Sequence, residues 1–387
     1  MSRHDYQIPV HFKHRIVFSR HIFDSGNPAL AEILAEGGGR RAMICIEQNV
    51  ATAWPGLANE AAAYTAKHGL ETAAPLVLDG GEAVKNDTSL VERVWREIDA
   101  AKLDRHSYLL CIGGGAFLDA VGLAAATAHR GVRLVRFPTT TLAQDDSGVG
   151  VKCAINYFGK KNWVGAFAVP FAVINDFQFL HSQPEHSRRT GLIEAVKVAL
   201  VKDRRFFEWI ERHAEALHAL APESLEPCVE RSALAHASHI AEGGDPFEHG
   251  SSRPLDFGHW AAHKIEAMTH MQVSHAEAVA IGMALDCSYA ASVGHLPVND
   301  CQRIFDVLHS LDMPVFHDAL DARDADGRRI VYDGLDEFRE HLGGELTILL
   351  PTAPGRMIEV GALDIRVLDT CIDALKHGKI PAALAVG

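Results

Sequence analysis

Through its first 180 residues the chain alternates between short apolar runs and longer stretches with helical spacing, and this alternation restricts the fold more than any other feature. "RAMICIEQN" (41–49) has the apolar centre of a buried strand, and "YLLCIGGG" (108–115) and "VRLVRFPTT" (132–140) read as strands as well. "HFKHRIVFS" (11–19) and "APLVLDGGE" (74–82) read as two further strands. Between them, "PALAEILAEGG" (28–38), "PGLANEAAAYTAKHG" (55–69), "TSLVERVWREIDAAKLD" (88–104) and "AFLDAVGLAAATAHRG" (116–131) predict helices. Strands joined by helices of this length pair in parallel, so the expectation is an α/β, doubly wound domain over residues 1–180. Beyond it the character changes. "RRTGLIEAVKVALVKD", "RRFFEWIERHAEALHAL" and "LEPCVERSALAHASHIAEG" predict a mostly α-helical second domain over 181–387.

Composition narrows the partners. A formal charge of −13, with no long basic face, excludes a nucleic-acid footprint but leaves room for a small anionic ligand. The seven cysteines are scattered without a CxxC pair, the pattern of reduced, buried thiols. "MSRHDYQIPV" lacks the apolar core of a signal peptide, and no apolar run is long enough to span a bilayer. A cytoplasmic protein without a membrane partner is the expectation.

"CIGGGAFLDAVG" (111–122) is a strand leading through glycines into a helix. Such a turn lets the backbone approach a phosphate, and the helix N-terminus favours an anion. The spaced-glycine dinucleotide fingerprint is absent, so a nucleotide loop and a tight structural turn both stay open. In "RFPTTTLAQDDSGVGVK" (136–152) a Gly-rich, acidic turn leads to Lys152, and Asp145 and Asp146 read equally well as solvated loop acids. "GKKN" (159–162) adds donors that suit a phosphate. Glu194 and Lys197 share a helical face at a spacing where an exposed pair adds little. Their neighbours Leu192, Ile193, Ala195, Val196 and Val198 point to burial instead, and buried charges need a partner or a task. Residues 256–283 then hold four histidines. Two of them with Glu194 would make the His/His/carboxylate set of a catalytic zinc. His259 and His263 can share a helix face and His275 follows, so spacing leaves open which two bind. Without HExxH a metalloprotease is not indicated.

In order along the chain these segments resemble the dehydroquinate synthase family, the sugar phosphate cyclases. The likeness rests on Gly113–Gly115 with Asp119, Arg130–Gly131, Pro138–Thr140, Asp146–Ser147, Lys152, and Lys161–Asn162. It continues through Glu194 with Lys197, Phe257 to His263, and His275 to Met283. The resemblance implies a Rossmann-like NAD-binding domain followed by a metal- and substrate-binding helical domain. It gives Glu194, His259 and His275 as ligands of Zn2+ or Co2+, with His263 on the substrate phosphate side. It places NAD against Glu47, Asn49, Glu82, Lys85, Gly114, Gly115, Asp119, Thr139, Thr140 and Lys161, Glu47 standing where the family has Asp. Lys152, Asn162 and Lys197 would hold phosphate and hydroxyls, and Asp146 a hydroxyl near the reacting centre. Arg130 would reach the neighbouring site of a homodimer. The family chemistry is transient oxidation, phosphate elimination, re-reduction and intramolecular aldol closure, with NAD regenerated.

Departures from the dehydroquinate makers bear on the substrate. His236 stands where they carry Lys, Asp256 where they carry Asn, and Arg339 and Glu340 near the place of a DKK-like segment, while Arg253 keeps their Arg. Fewer cationic donors and an added acid disfavour a substrate carboxylate. The expected substrate is therefore a seven-carbon sugar phosphate lacking one, such as sedoheptulose 7-phosphate, and the expected product a valiolone- or gadusol-type cyclitol. The competing readings are 3-dehydroquinate synthase, a metal-dependent polyol dehydrogenase of the same architecture, and a catalytically silent homologue. A simple dehydrogenase has no need of Lys152, Asn162, Lys197 and His263 together, and a silent homologue has no need of three ligands and a cofactor loop.

Overall fold

The computed structural model describes residues 2–380 except 159, 244–246, 248–253 and 342–343. Arg253 lies outside the described residues. The chain forms two compact units, residues 1–139 with 150–178, and residues 140–149 with 179–387.

The first unit is built on a parallel sheet. Its strands are β1 (Ile16–Ser19), β2 (Arg41–Glu47), β3 (Glu71–Thr72), β4 (Leu76–Leu78), β5 (Tyr108–Gly113), β6 (Arg133–Pro138) and β9 (Ala172–Asp176), in the order β1-β9-β6-β5-β2-β3 with β4 also on β2. Every pairing is parallel. All six residues of β5 are buried, as its unbroken apolar sequence requires of a central strand. From β2 the chain runs outward to β3 and β4, then crosses back to start β5 on the other side. The carboxyl ends of β2 and β5 thus flank a topological switch point, where open α/β sheets bind ligands.

The strand expected over 74–82 is only three residues long, because Gly80 and Gly81 divert the chain into a short turn, Glu82–Lys85. A two-stranded antiparallel hairpin, β7 (Lys152–Tyr157) and β8 (Lys160–Phe167), carries Lys152, Lys161 and Asn162. Nothing in the apolar pattern announced it, since β8 is mostly exposed.

The second unit is mainly helical and carries an antiparallel hairpin, β10 (Ile348–Ala353) and β11 (Arg356–Val360). Its central element is the helix His275–Ser292, whose residues are all buried except His275 and Glu277. A Ser274–Glu277 capping box fixes where that helix begins. The seven cysteines are all buried and unpaired. Among the described residues no helix is long and apolar enough to cross a membrane.

Candidate active site

Three helices of the second unit begin at one place. Glu194 lies in the first turn of Ile193–Lys202, His259 opens His259–Met268, and His275 opens His275–Ser292. One ligand atom from each of Glu194, His259 and His275 lies within 4.8 Å of the others. Among the described residues this is the one cluster of the kind that could hold a metal ion. His263 is beside it, its ring centroid 5.5 Å from that of His259 and 6.3 Å from that of His275.

The ring nitrogens are assigned by their partners. The Phe257 carbonyl can only accept, so His259 Nδ1, 3.0 Å away, carries the hydrogen and leaves the Nε2 lone pair available. His275 Nδ1 lies 3.2 Å from Glu266 Oε1, which leaves its Nε2 likewise. Burial drives the His259 pKa well below the usual range, helped by the nearby Lys197 ammonium and the other imidazoles, so the ring stays in its neutral, ligating form. Glu194 is almost wholly buried; its Oε2 contacts Lys197 Nζ, and its Oε1 is buried without a hydrogen-bond partner among the described residues. A buried carboxylate oxygen facing two imidazoles is the donor set a divalent cation would satisfy.

Gly258 sets the turn that delivers His259. Its φ is +79°, and Asp286 accepts hydrogen bonds from its N–H at 3.1 Å and from Trp260 Nε1 at 2.9 Å. The acids at 145 and 146 are no solvated loop. Residues 143–147 form a helical turn, and Asp145 is completely buried. Burial, followed by the charges of Asp146 and Glu194, drives the Asp145 pKa far above the carboxylate range. Asp146 Oδ1 instead meets His236 Nδ1 at 2.5 Å. Burial works against the Asp146 charge, but His236 and Lys197 outweigh it and hold the carboxyl below its ordinary range. Lys197 is buried too; the charges of Glu194, Asp146 and Asp256 overcome the effect of burial and raise its pKa.

In the first unit, Gly113 and Gly114 end β5 and start the helix Gly115–Thr127. Glu47, at the end of β2, accepts from Gly114 N at 2.7 Å through Oε2 and from Gly81 N at 3.1 Å through Oε1. Its carboxylate thus ties together the two glycine turns, and a Cβ on Gly113 would lie 2.5 Å from the Phe117 ring and 2.9 Å from Glu47 Oε2. The buried Lys85 donates to Asp119 Oδ2 at 2.6 Å and to Asn162 Oδ1 at 2.5 Å. Asn162 adopts φ +53° and donates its N–H to Asn156 Oδ1. Thr139 is buried, Glu82 is half-buried and Asn49 is exposed, while Thr140 Oγ1 of the second unit accepts from Ala143 N. Arg130 is exposed at φ +63°.

Sequence reasoning passed over Glu266 and Asp286. Glu266 follows His259 at i+7 and His263 at i+3, on the same helix face, and that spacing was the available signal.

The 3-dehydroquinate synthase N-terminal family model matches residues 75–190 and the C-terminal one residues 191–328. A 3-dehydroquinate synthase of Pelotomaculum thermopropionicum is 33% identical over 300 residues, 77% of this chain and 78% of its own. A 2-epi-5-epi-valiolone synthase of Streptomyces glaucescens is 33% identical over 370 residues, 94% of this chain and 91% of its own. Among solved structures, the 2-epi-5-epi-valiolone synthase ValA of Streptomyces hygroscopicus subsp. jinggangensis, with NAD+ and Zn2+ bound, superposes with a TM-score of 0.86 at 28% identity, covering 97% of this chain and 100% of ValA. A 2-deoxy-scyllo-inosose synthase complexed with carbaglucose-6-phosphate, NAD+ and Co2+ shares the fold, at a TM-score of 0.77 and 23% identity over 92% of this chain and 95% of its own. The chain belongs to the 3-dehydroquinate synthase family. Within it, the likeness extends to the cyclitol synthases.

Proposed function

We propose that this chain is an NAD- and divalent-metal-dependent sugar phosphate cyclase that converts sedoheptulose 7-phosphate to a cyclitol with release of phosphate. Glu194, His259 and His275 would hold the metal, and the glycine turn at Gly114 and Gly115, with Glu82, Lys85 and Asp119, would hold NAD. When bound, the metal polarises a substrate oxygen and the nicotinamide takes up and returns one hydride. The protein's own groups do the rest. Lys197 and His263 offer cationic and imidazole donors beside the three ligands, and Asp146 holds a hydroxyl while His236 keeps its charge in place.

The observation that carries the choice of substrate is the pairing of His236 with Asp146 at 2.5 Å, together with the charge that Asp256 adds near Lys197. His236 is taken up by Asp146 and Lys197 has the chain's own acids beside it, which leaves fewer donors for a substrate carboxylate. The similarity over 94% of the chain to a 2-epi-5-epi-valiolone synthase supports the same reading. Equal identity to a 3-dehydroquinate synthase, over 77% of the chain, keeps 3-dehydroquinate synthase as the second reading. The test is phosphate release with NAD+ and Zn2+ from sedoheptulose 7-phosphate and, in parallel, from the carboxylated seven-carbon substrate of dehydroquinate synthase. Release from the first alone is expected, and release from the second alone would replace this reading with the other.

A further inference from the structure

We infer that Glu266 is a positioning residue for the metal centre, a buried carboxylate that fixes the orientation and strengthens the donor character of His275. The inference rests on Glu194, His259 and His275 being the metal ligands. Of those three, His275 is the one that packing leaves freest: Glu194 and His259 are buried, whereas 30% of the His275 side chain is exposed. A ring at the first position of a helix, with one side open, can turn about its side-chain bonds unless something holds it. Glu266 supplies that hold. Its carboxylate is 2% exposed and lies 3.2 Å from His275 Nδ1.

Both helices of the contact begin with a ligand. Glu266 stands two turns after His259 on the same helix, so one rigid element presents a ligand at its start and, seven residues on, the acid that aims the other histidine. An acid in this position is otherwise costly, because a carboxylate taken out of water needs a partner. An Nδ1–H donated to a carboxylate fixes the tautomer, turns Nε2 toward the metal position and makes it a better electron-pair donor. His259 receives a weaker form of the same treatment from the neutral Phe257 carbonyl. The two imidazoles are therefore unequal: His259 is held by burial and a carbonyl, His275 by a charge.

The experiment strips the full-length protein of metal with a chelator and titrates Zn2+ back against a chromophoric competitor. The visible spectrum of the Co2+ form is recorded alongside. The proteins are wild type, Glu266→Gln, Glu266→Ala and His275→Ala. Glu266→Ala is expected to weaken Zn2+ binding by about 10- to 100-fold. Glu266→Gln keeps an acceptor without the charge, so it should fall between and shift the Co2+ bands, with unfolding of the metal-free protein unchanged. Glu266→Gln also covers the case in which the alanine variant fails to fold. Zn2+ affinity and Co2+ spectrum like wild type in both Glu266 variants, with binding lost in His275→Ala, would overturn the inference and leave the ligand assignment standing. Undiminished binding in His275→Ala would overturn the ligand assignment and the inference with it.

Discussion

Two glycines let the helices of the metal centre touch, and alanine at either position should disturb both stability and metal binding. A Cβ on Gly258 would lie 2.8 Å from Met283 Cγ and 2.8 Å from Met283 N, while one on Gly282 would lie 2.0 Å from the Gly258 carbonyl oxygen. In Gly258→Ala the left-handed backbone costs roughly 1–2 kcal/mol. Overpacking adds about 1–3 kcal/mol, since Met283 Cγ can move aside but its backbone nitrogen cannot. The expected total is about 3 kcal/mol. Gly282→Ala carries no backbone strain, but no rotamer relieves a contact with a carbonyl, and about 2–3 kcal/mol is expected from overpacking alone. Both clashes are relieved by the same separation of the helices, so the double variant should cost less than the sum. That separation also draws His259 away from His275, and metal sites tolerate displacements of only about 0.5 Å. Calorimetric unfolding with and without Zn2+ is the assay, read with a chelator-competition titration. At roughly 2–4 °C per kcal/mol for a unit of this size, each single variant should melt roughly 5–10 °C lower. Single variants within about 0.5 kcal/mol of wild type, binding Zn2+ as tightly, would refute the reasoning.

Replacing Glu194 by Gln removes the carboxylate in contact with the buried Lys197 ammonium, which then has only the charges of Asp146 and Asp256 to oppose the cost of burial. The metal-free variant should lose about 3–5 kcal/mol in denaturant unfolding, and a Glu194→Gln/Lys197→Met double variant should regain most of it. His236→Lys combined with Asp256→Asn returns two positions to the residues of the dehydroquinate makers; phosphate-release rates should then shift toward the carboxylated substrate, and an unchanged ratio would count against the role given to these residues. Burial pushes the Asp286 carboxyl up to about 7 despite the donors from Trp260 and Gly258. The folded protein therefore holds this proton more tightly than the unfolded chain, whose Asp titrates near ~3.9. Stability from this group is full below that lower value and lost as pH rises through about 7, so wild type should lose more stability across this window than Asp286→Asn when both are unfolded in denaturant.

The parallel sheet was legible because its strands are buried on both faces, and such strands cannot be other than apolar; β2 and β5 stand where the runs at 41–49 and 108–115 predict. The hairpin Lys152–Phe167 was not, because an exposed strand needs no apolar alternation. At the candidate metal centre the spacing identified the histidines without choosing among them. The geometry explains why: His263 and His275 both lie with ring centroids 5.5 Å from that of His259, and only the approach of Glu194 from another helix separates them. Asp145 reads as a loop acid because its neighbours Asp146 and Ser147 are polar, and its complete burial follows from packing that local sequence does not encode. Glu266 offered one signal, its i+7 spacing from His259, but its contact with His275 comes from the packing of two helices, which that spacing does not show.

The most direct test of the central claim is the ratio of phosphate released to NAD+ supplied. Metal-loaded protein is given sedoheptulose 7-phosphate with NAD+ far below the substrate concentration, and nicotinamide absorbance is followed with free phosphate. A cyclase that returns its hydride releases phosphate many times over the NAD+ present, with no build-up of NADH. One NADH formed per product, or turnover that halts when the NAD+ is consumed, would contradict the account and mark a dehydrogenase instead.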